Sequence, residues 1–586
     1  MDIIPLFPSS QTSSSGIIID EHWIDTTRLK SWIHFCDSNH GGTCTGFQDR
    51  GGIGDAISLL LIDMVAECLV EAPVTERYFA LSYVWGKPDP NAFVLETTVE
   101  NLANRLCIVQ NDKVHKARQI DAMGSIYSNA YCTIIAACGE DSHSGLPGVG
   151  NGSKPRSFLQ SVLDFSIIGT QCLVLPKAWS TERSSVWNTR GWTFQEKIMS
   201  RRSLVFGPGP VTWRCQRCTW REDTTGDVEG TPRPLLGESL LDTFKQDPWP
   251  NLHAWMHLVL VYNRRTLSFE SDRLRAISGI EAVLRSSFPG GFCYGLPEFF
   301  FDAALLWQPN KPMKRREMAL DQNMTDYLPS WSWAGWHGSI DPKTVLFGMD
   351  YLHSSPTLTI HTTFTVSQLV TWTQIDLHGN RHTLQPQHTH FRQIASSPDH
   401  PLPPGWTLHQ DPTTSQTHYY THPAAHPHKF RYPIPIASGQ TSPPNLPFPP
   451  YLTFTSTRAT LTISSPLPSL DLCACLSVSL HVPTSPPLWA GMLRLNTPKS
   501  SIVPEGQACE LVALSLGRVE NASDESGFLE EWGHVEQQKS GAFYEFYNVV
   551  WVGREEGGWI VRRAVGRVER GVWERVRGEQ EEFRMR

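Results

Sequence analysis

The stretch "YFALSYVWG", Tyr78 to Gly86, restricts the fold of this chain more than any other. Phe79, Leu81, Tyr83 and Trp85 alternate with Ala80, Ser82 and Val84, the period of a β-strand whose two faces differ in bulk. The small face lets a neighbouring layer come close. Gly86 and Pro88 then force the chain off the strand end. In open α/β sheets ligands collect beyond the carboxyl ends of strands, so the Trp85–Asp89 loop is a position where a site could form. A sheet edge finished by a turn is the plainer reading, and the favoured one.

The segment downstream of this strand selects the fold class. From Val114 to Ala130, the positions Ile120, Met123, Ile126, Tyr127 and Ala130 fall at helical spacing, and "YCTIIAACG" then reads as a buried strand. Strand, helix, strand favours an α/β layer with parallel pairing, because a parallel connection needs a crossover of about a dozen residues or more. "CLVLP" and "RSLVFG" supply further strands. Upstream, Leu29, Trp32, Ile33 and Cys36 make a helix behind the capping candidates Asp25 and Thr26, with Gly41 and Gly42 ending it, and "AISLLLIDMVAECLV" reads as an extended apolar stretch. Residues 240–310 read as mainly helical through Leu258, Val261, Tyr262, Leu274, Ile277, Ile280 and Val283. The His/Pro-rich tract 378–450 cannot bury enough apolar surface for a large core. Beyond it, "YLTFTSTRATLTI", "LSVSLHV", "ACELVALSL" and "FYNVVWV" alternate with period two and predict a β-rich region.

Composition closes off several function classes. A formal charge of -8 gives no bulk pull toward nucleic acid or an anionic membrane. No apolar run reaches the roughly eighteen residues of a membrane span, and the N-terminus lacks the pattern of a leader, so a cytoplasmic protein is expected. The 13 cysteines, odd in number and without a regular framework, read as reduced thiols. The 21 tryptophans require broad aromatic clusters, since each buried indole removes about 200 Å² from water.

Three blocks, "YFALSYVWG", "MGSIYSNAYCTIIAACGEDSHSGLPGV" and "VWNTRGWTFQEKIMSRRSLVF", resemble in order the motifs of the fungal heterokaryon incompatibility (HET) domain. "YNRRTLSFESDRLRAISGI", "PSWSWAGWHG", the C-terminal "FYNVVWV" and "GRVERGVWE", and the Cys36, His40, Cys44 segment resemble the companion regions of such proteins. The resemblance implies a HET core, distantly TIR-like, in a protein of fungal nonself recognition whose partners are other proteins and whose output is growth arrest or cell death. By analogy with TIR-like folds, some of which cleave NAD, it also raises NAD as a substrate; fold alone does not establish that chemistry. The expected organisation is an N-terminal Cys/His segment (1–75), the HET domain (76–198), a mixed, mainly helical region (199–377), the His/Pro-rich linker (378–450) and a β-rich region (451–586). The family normally places a helix and a strand ending in Trp-x-Asp ahead of its "CI-x-Q" segment. Here the chain runs almost directly into Cys107, Ile108 and Gln110, about twenty residues short near 95–106. A misplaced exon boundary is favoured over a natural deletion.

Arg190, Trp192, Gln195 and Glu196 match the family motif, and the candidate pocket combines Ser82, Trp85, Arg190, Trp192 and Glu196, able to orient a ribose or phosphate by charge-assisted hydrogen bonds. The competing reading is an Arg190–Glu196 structural ion pair with Trp192 in the core. No nucleophile with an adjacent base is evident, so no catalytic residue is assigned. Neither G-x-G-x-x-G after a strand nor a Walker "GK[ST]" is present. Cys36-x3-His40-x3-Cys44 has ligand types that suit zinc, but a structural site needs four. Cys215-x2-Cys218 could complete it only if the two segments meet in space, and core packing of Trp32 and Cys36 is the favoured reading over a zinc site. Residues 402–433 resemble a WW module with Trp406 and Pro433 at its ends. Tyr420 and Phe430 would be the pair gripping a proline-rich ligand, although Phe430 replaces the usual tryptophan. The arginines from Arg562 to Arg586 are interrupted by glutamates and read as a solvated face.

Overall fold

Helix α1 (Thr26–Asn39) begins where its capping aspartate predicts: the Asp25 carboxylate accepts from the N–H groups of Thr27 and Arg28 at 2.9 and 3.2 Å, satisfying donors that a helix start leaves open. Its buried face is Leu29, Trp32 and Cys36. It ends at His40, and Gly41, at φ +48°, opens a short helix α2 (Gly41–Thr45). The computed structural model describes residues 2–6, 15–45, 58–86, 111–150, 152–165, 170–175, 185–225, 247–316, 327–341, 348–355, 363–375, 380–395, 401–410, 418–437, 451–467, 473–520, 529–531, 534 and 543–586. The shortened junction near 95–106 lies outside them. The chain divides into two compact units, Met1–Ser239 with Arg265–Val283, and Leu240–Arg264 with Leu284–Arg586. Among the described residues no helix is long and apolar enough to cross a membrane.

The first unit holds strands β1 (Asp2–Pro5), β2 (Ser58–Asp63), β3 (Cys68–Pro73), β4 (Phe79–Ser82), β5 (Cys132–Ala136), β6 (Ser161–Phe165), β7 (Thr170–Leu175), β8 (Arg202–Phe206), β9 (Thr212–Cys215) and β10 (Thr219–Arg221). The main sheet has the order β10-β9-β8-β5-β4, with β4, β5 and β8 parallel and β9 and β10 antiparallel. The parallel α/β layer is therefore present. Its first crossover is α3 (Lys113–Asp121) and α4 (Met123–Asn129) rather than one helix. The break at Ala122 lets α4 set Gly124 against Gly279, where a Cβ would come within 2.7 Å of the Gly279 Cα. The extended stretch before β4 is a hairpin, β2 paired with β3. Its turn forms because the Asp63 carboxylate accepts from the N–H groups of Val65 and Ala66 inside the apolar run. "RSLVF" joins the parallel sheet as β8, whereas "CLVL" lies in a separate sheet, β1-β7-β6.

Strand alternation gives the main sheet two unlike faces. On one, Cys132, Leu204, Phe206 and Trp213 pack with Leu29, Trp32 and Cys36 of α1 and with Trp220. On the other, Val84, Ile135, Ala137 and Val205 pack around Trp187. The β4 side chains do not join the α1 cluster, so Phe79, Leu81 and Trp85 are half exposed, while Ala80, Ser82 and Val84 are buried. The small face of "YFALSYVWG" is thus the one against which the helical layer packs.

In the second unit, the middle segment departs from the mainly helical expectation. Helix Leu252–Tyr262 is followed by two-residue strand pairs such as Gln308–Pro309 with Ile340–Asp341. Its aromatic residues explain this. Trp255, Trp331 and Trp333 are fully buried, and Trp255 and Trp333 both donate their indole N–H to the Gly295 carbonyl, at 3.0 and 2.9 Å. Such side chains satisfy loop carbonyls that a helix would satisfy internally. Strands β11 (Thr407–Gln410), β12 (His418–Thr421) and β13 (Lys429–Phe430) follow as an antiparallel meander.

The β-rich C-terminal expectation holds. Strands β14 (Leu452–Pro466), β15 (Cys475–Val482), β16 (Leu488–Pro498), β17 (Ala508–Glu520), β18 (Tyr544–Arg554) and β19 (Trp559–Glu569) run in the order β17-β18-β19-β16-β15-β14. Pairing of Arg458–Thr462 with Ala508–Val512 closes these six into an antiparallel ring, to which Thr363–Gln368 and Thr373–Ile375 add at the rim. Leu461, Val478, Leu493, Leu511, Val549 and Val568 fill it, with Trp573 from helix Arg570–Val576. At the β16–β19 pairing, a Cβ on Gly491 would collide with the Arg567 carbonyl and one on Gly566 with that of Met492.

Candidate functional site

Ser82 is the last residue of β4, and a helical layer that includes α4 closes over it. Helices α5 (Val186–Thr189) and α6 (Trp192–Met199) are joined by the turn through Arg190 and Gly191. Ser185 caps α5 by accepting from Asn188 N–H at 3.2 Å, and the Thr193 hydroxyl donates to the Trp187 carbonyl at 2.6 Å, fixing one helix to the next. Arg265 braces the turn from behind, donating to the carbonyl of Arg190 at 3.0 Å and to Asn188 Oδ1 at 2.7 Å.

This frame brings Glu196 of α6 onto Ser82. The Ser82 hydroxyl donates to the Glu196 carboxylate, and Trp187 Nε1–H donates to Ser82 Oγ at 2.8 Å. Tyr127 of α4 lies within hydrogen-bonding reach of the same carboxylate and bonds the Leu81 carbonyl at 3.0 Å. Ser82 and Trp187 are fully buried, and Glu196 and Tyr127 nearly so. Burial raises the Glu196 carboxyl to about 7, against the opposing pull of the Ser82 and Tyr127 hydrogen bonds and the Arg265 charge. The arrangement is a serine hydroxyl polarised between an indole donor and a carboxyl group that changes charge near neutrality.

The other predicted pocket residues have different partners. Arg190 donates to Ser268 Oγ at 2.8 Å, and the positive charge that acts on Glu196, as the smallest of its influences, is that of Arg265. Trp85 stacks on Tyr83 at 5.6 Å, half exposed, and Trp192 is partly buried. Gly86, at φ +82°, has its missing Cβ position 2.6 Å from Asp141 Cβ, so the turns after β4 and β5 meet beyond the strand ends, where the sequence allows a site but favours a plain turn; residues 87–89 of that loop lie outside the described residues. Gln195 accepts from Gly279 N–H at 2.8 Å and so positions α6. Sequence reasoning did not single out Tyr127, Trp187 and Arg265 for the site. The first two lie inside the HET-like blocks, where an aromatic able to donate a hydrogen bond was the signal; Arg265 carried none.

Residues 103–196 match the family model described as Heterokaryon incompatibility protein (HET). Over this segment the chain is similar to that family. No curated protein and no solved structure matches the chain. The matched HET segment contains Tyr127, Trp187 and Glu196, while Ser82 lies before it, so the buried network reaches past the segment into β4.

Two further candidate sites lie elsewhere. In the meander β11–β13, Tyr420 stands opposite Phe430, and both are buried, with Trp406 packed edge-on against Phe430 at 5.0 Å. Phe430 also stacks on Tyr351 at 6.4 Å. The two rings therefore serve the interior of the module instead of forming an exposed groove for proline. In the N-terminal segment, Cys36 does belong to the aromatic core with Trp32, but Cys36, His40 and Cys44 also converge with Cys215. The two segments that had to meet in space do meet.

Proposed function

We propose that this chain acts in fungal nonself recognition, promoting growth arrest or programmed cell death through its HET domain, in the cytoplasm and in contact with protein partners. The match over residues 103–196 carries this reading. The Ser82–Glu196 contact adds that β4 and α6 work as one body. Inducible expression of the full chain in a fungal host, scored for viability, tests it: wild type arrests growth, and Glu196→Gln and Ser82→Ala weaken the arrest at equal protein level. Unimpaired growth with wild-type protein present, and also with the missing segment restored near 95–106, overturns it. Transcript reads across Leu95 to Ile108 tell which of those two chains is the natural one.

One observation favours a second reading, a TIR-like NAD glycohydrolase: a carboxyl group raised to about 7 beside the carboxyl end of a parallel strand. Incubating the purified, artificially clustered chain with NAD would release nicotinamide, and Glu196→Gln would abolish the release. No release from wild type removes this reading and leaves signalling by contact. An adaptor role for residues 402–433 requires a proline-rich peptide whose binding depends on Tyr420.

A further inference from the structure

The helix end at His40 and the β9–β10 hairpin place four soft ligands around one point. Cys36 and His40 are one helical turn apart at the end of α1, so their side chains project from the same face. Cys44 follows on α2, after the positive-φ Gly41 has turned the chain back. Cys215 closes the set from the end of β9, 175 residues beyond His40. The ligand atoms of Cys36, His40, Cys44 and Cys215 all lie within 4.8 Å of one another, with His40 Nδ1 3.4 Å from Cys215 Sγ. A tetrahedral zinc ion with bonds of about 2.3 Å to sulfur and about 2.0 Å to nitrogen needs ligands about 3.5–3.8 Å apart. The cluster is therefore close to the size of one coordination shell.

We propose that Cys36, His40, Cys44 and Cys215 form a structural zinc site that ties α1 and α2 to the HET sheet. Three thiolates and an imidazole select a soft or borderline cation over magnesium or calcium. Four protein ligands leave no open position, so the site is structural and not hydrolytic. The surroundings fit an ion-bearing thiolate cluster. The Arg217 N–H donates to Cys215 Sγ at 3.4 Å, and the Cys215 N–H to the Cys218 carbonyl at 3.0 Å, which makes the tight hairpin turn that presents Cys215. The His40 ring is held by near-parallel stacking on Trp220 at 6.0 Å and the edge of Phe35 at 5.8 Å, which fixes its orientation. Arg201 donates to the carbonyls of Gly42 and Thr43, holding α2 over the site. Cys218 lies 3.4 Å from Cys215 but is buried with Trp213 and Trp220, and it is assigned to the core beside the site.

The test uses the full chain, purified without chelator from zinc-supplemented culture. About one equivalent of zinc is expected to survive dialysis, and X-ray absorption at the zinc edge should fit three sulfur ligands and one nitrogen. Cys36→Ser and Cys215→Ser should each lose the metal, Cys218→Ser should keep it, and His40→Ala should weaken it at least tenfold in competition with a chromogenic chelator. The absorption measurement on unaltered protein keeps the proposal falsifiable should a serine variant fail to fold. A chain that holds no zinc after dialysis, or a zinc shell of oxygen ligands, overturns the site. Zinc retained in Cys215→Ser but lost in Cys218→Ser overturns the assignment of the fourth ligand.

Discussion

Glu196 and Glu531 are both withdrawn from water, and the protein treats them in opposite ways. Around Glu196 stand hydroxyl donors, and the nearest acting cation, Arg265, is itself engaged with Arg190, Asn188 and Thr193. Burial wins and the carboxyl rises to about 7. Glu531 instead meets Arg567 in a two-pronged ion pair at 2.5 and 2.8 Å, and next to it Arg494 bridges Asp341 at 2.6 Å and Glu530 at 2.8 Å. Burial works against the Arg567 charge, yet Glu531 outweighs it and holds the guanidinium above its ordinary range. Neutral donors leave the Glu196 carboxyl open to the effect of burial, whereas the guanidinium fork gives Glu531 two charge-assisted hydrogen bonds. Around Glu531 fixed ion pairs bind the β-rich region together, whereas neutral donors hold Glu196 with its carboxyl raised.

The strongest way to break this contrast is Arg567→Met, which leaves Glu531 buried without its partner. A loss of about 3–5 kcal/mol in denaturant unfolding is expected, and adding Glu531→Gln should recover much of it. A single-variant loss below about 1 kcal/mol would place the pair among surface bridges in energy. Next is the pH response of Glu196. Its folded value lies above the 4.5 of a free glutamate, so the folded state binds more protons between the two. Stability from this group is complete below about pH 4.5 and declines as pH rises through 7, by on the order of 3 kcal/mol. Glu196→Gln should flatten that part of the stability profile; an unchanged slope would assign it to other groups, such as Asp302, also raised to about 7 by burial. A smaller effect comes from Ser82→Ala. The Ser82 hydrogen bond lowers the Glu196 value, so its removal should move the pH transition upward and cost about 2 kcal/mol above neutrality. The smallest belongs to a carboxylate left in water: Asp25→Ala should cost about 1 kcal/mol through the lost α1 cap. Thermal or denaturant unfolding from pH 4 to 9 measures all of these.

Local patterns made much of the fold legible. Alternation in "YFALSYVWG" and "YCTIIAACG", with helical spacing between, was sufficient for parallel pairing, and Asp25 marked its helix start. The turn at Asp63 was hidden because a single aspartate looks like any other within an apolar run, although its two hydrogen bonds fold the run back on itself. The break at Ala122 precedes the close approach of Gly124 to Gly279, a contact that helical spacing does not encode. In the site, Ser82 and Glu196 were legible as members of a shared motif set, but Arg190 was paired with Glu196 whereas it bonds Ser268, since charge type alone does not say which way a side chain turns. Cys215 was separable from its neighbour Cys218 only in space, because spacing within a C-x2-C pair says nothing about which thiol faces α1.

The glycine pair between β16 and β19 has a consequence for how the second unit assembles. Gly491 faces Val568 and Gly566 faces Leu493, and each lacks a side chain where the opposing backbone carbonyl presses in. A slip of one residue would drive a branched or long side chain into that carbonyl and turn every inward residue outward. The β16–β19 pairing therefore tolerates a single alignment of its two strands, and a miscounted one meets a carbonyl where it needs open space.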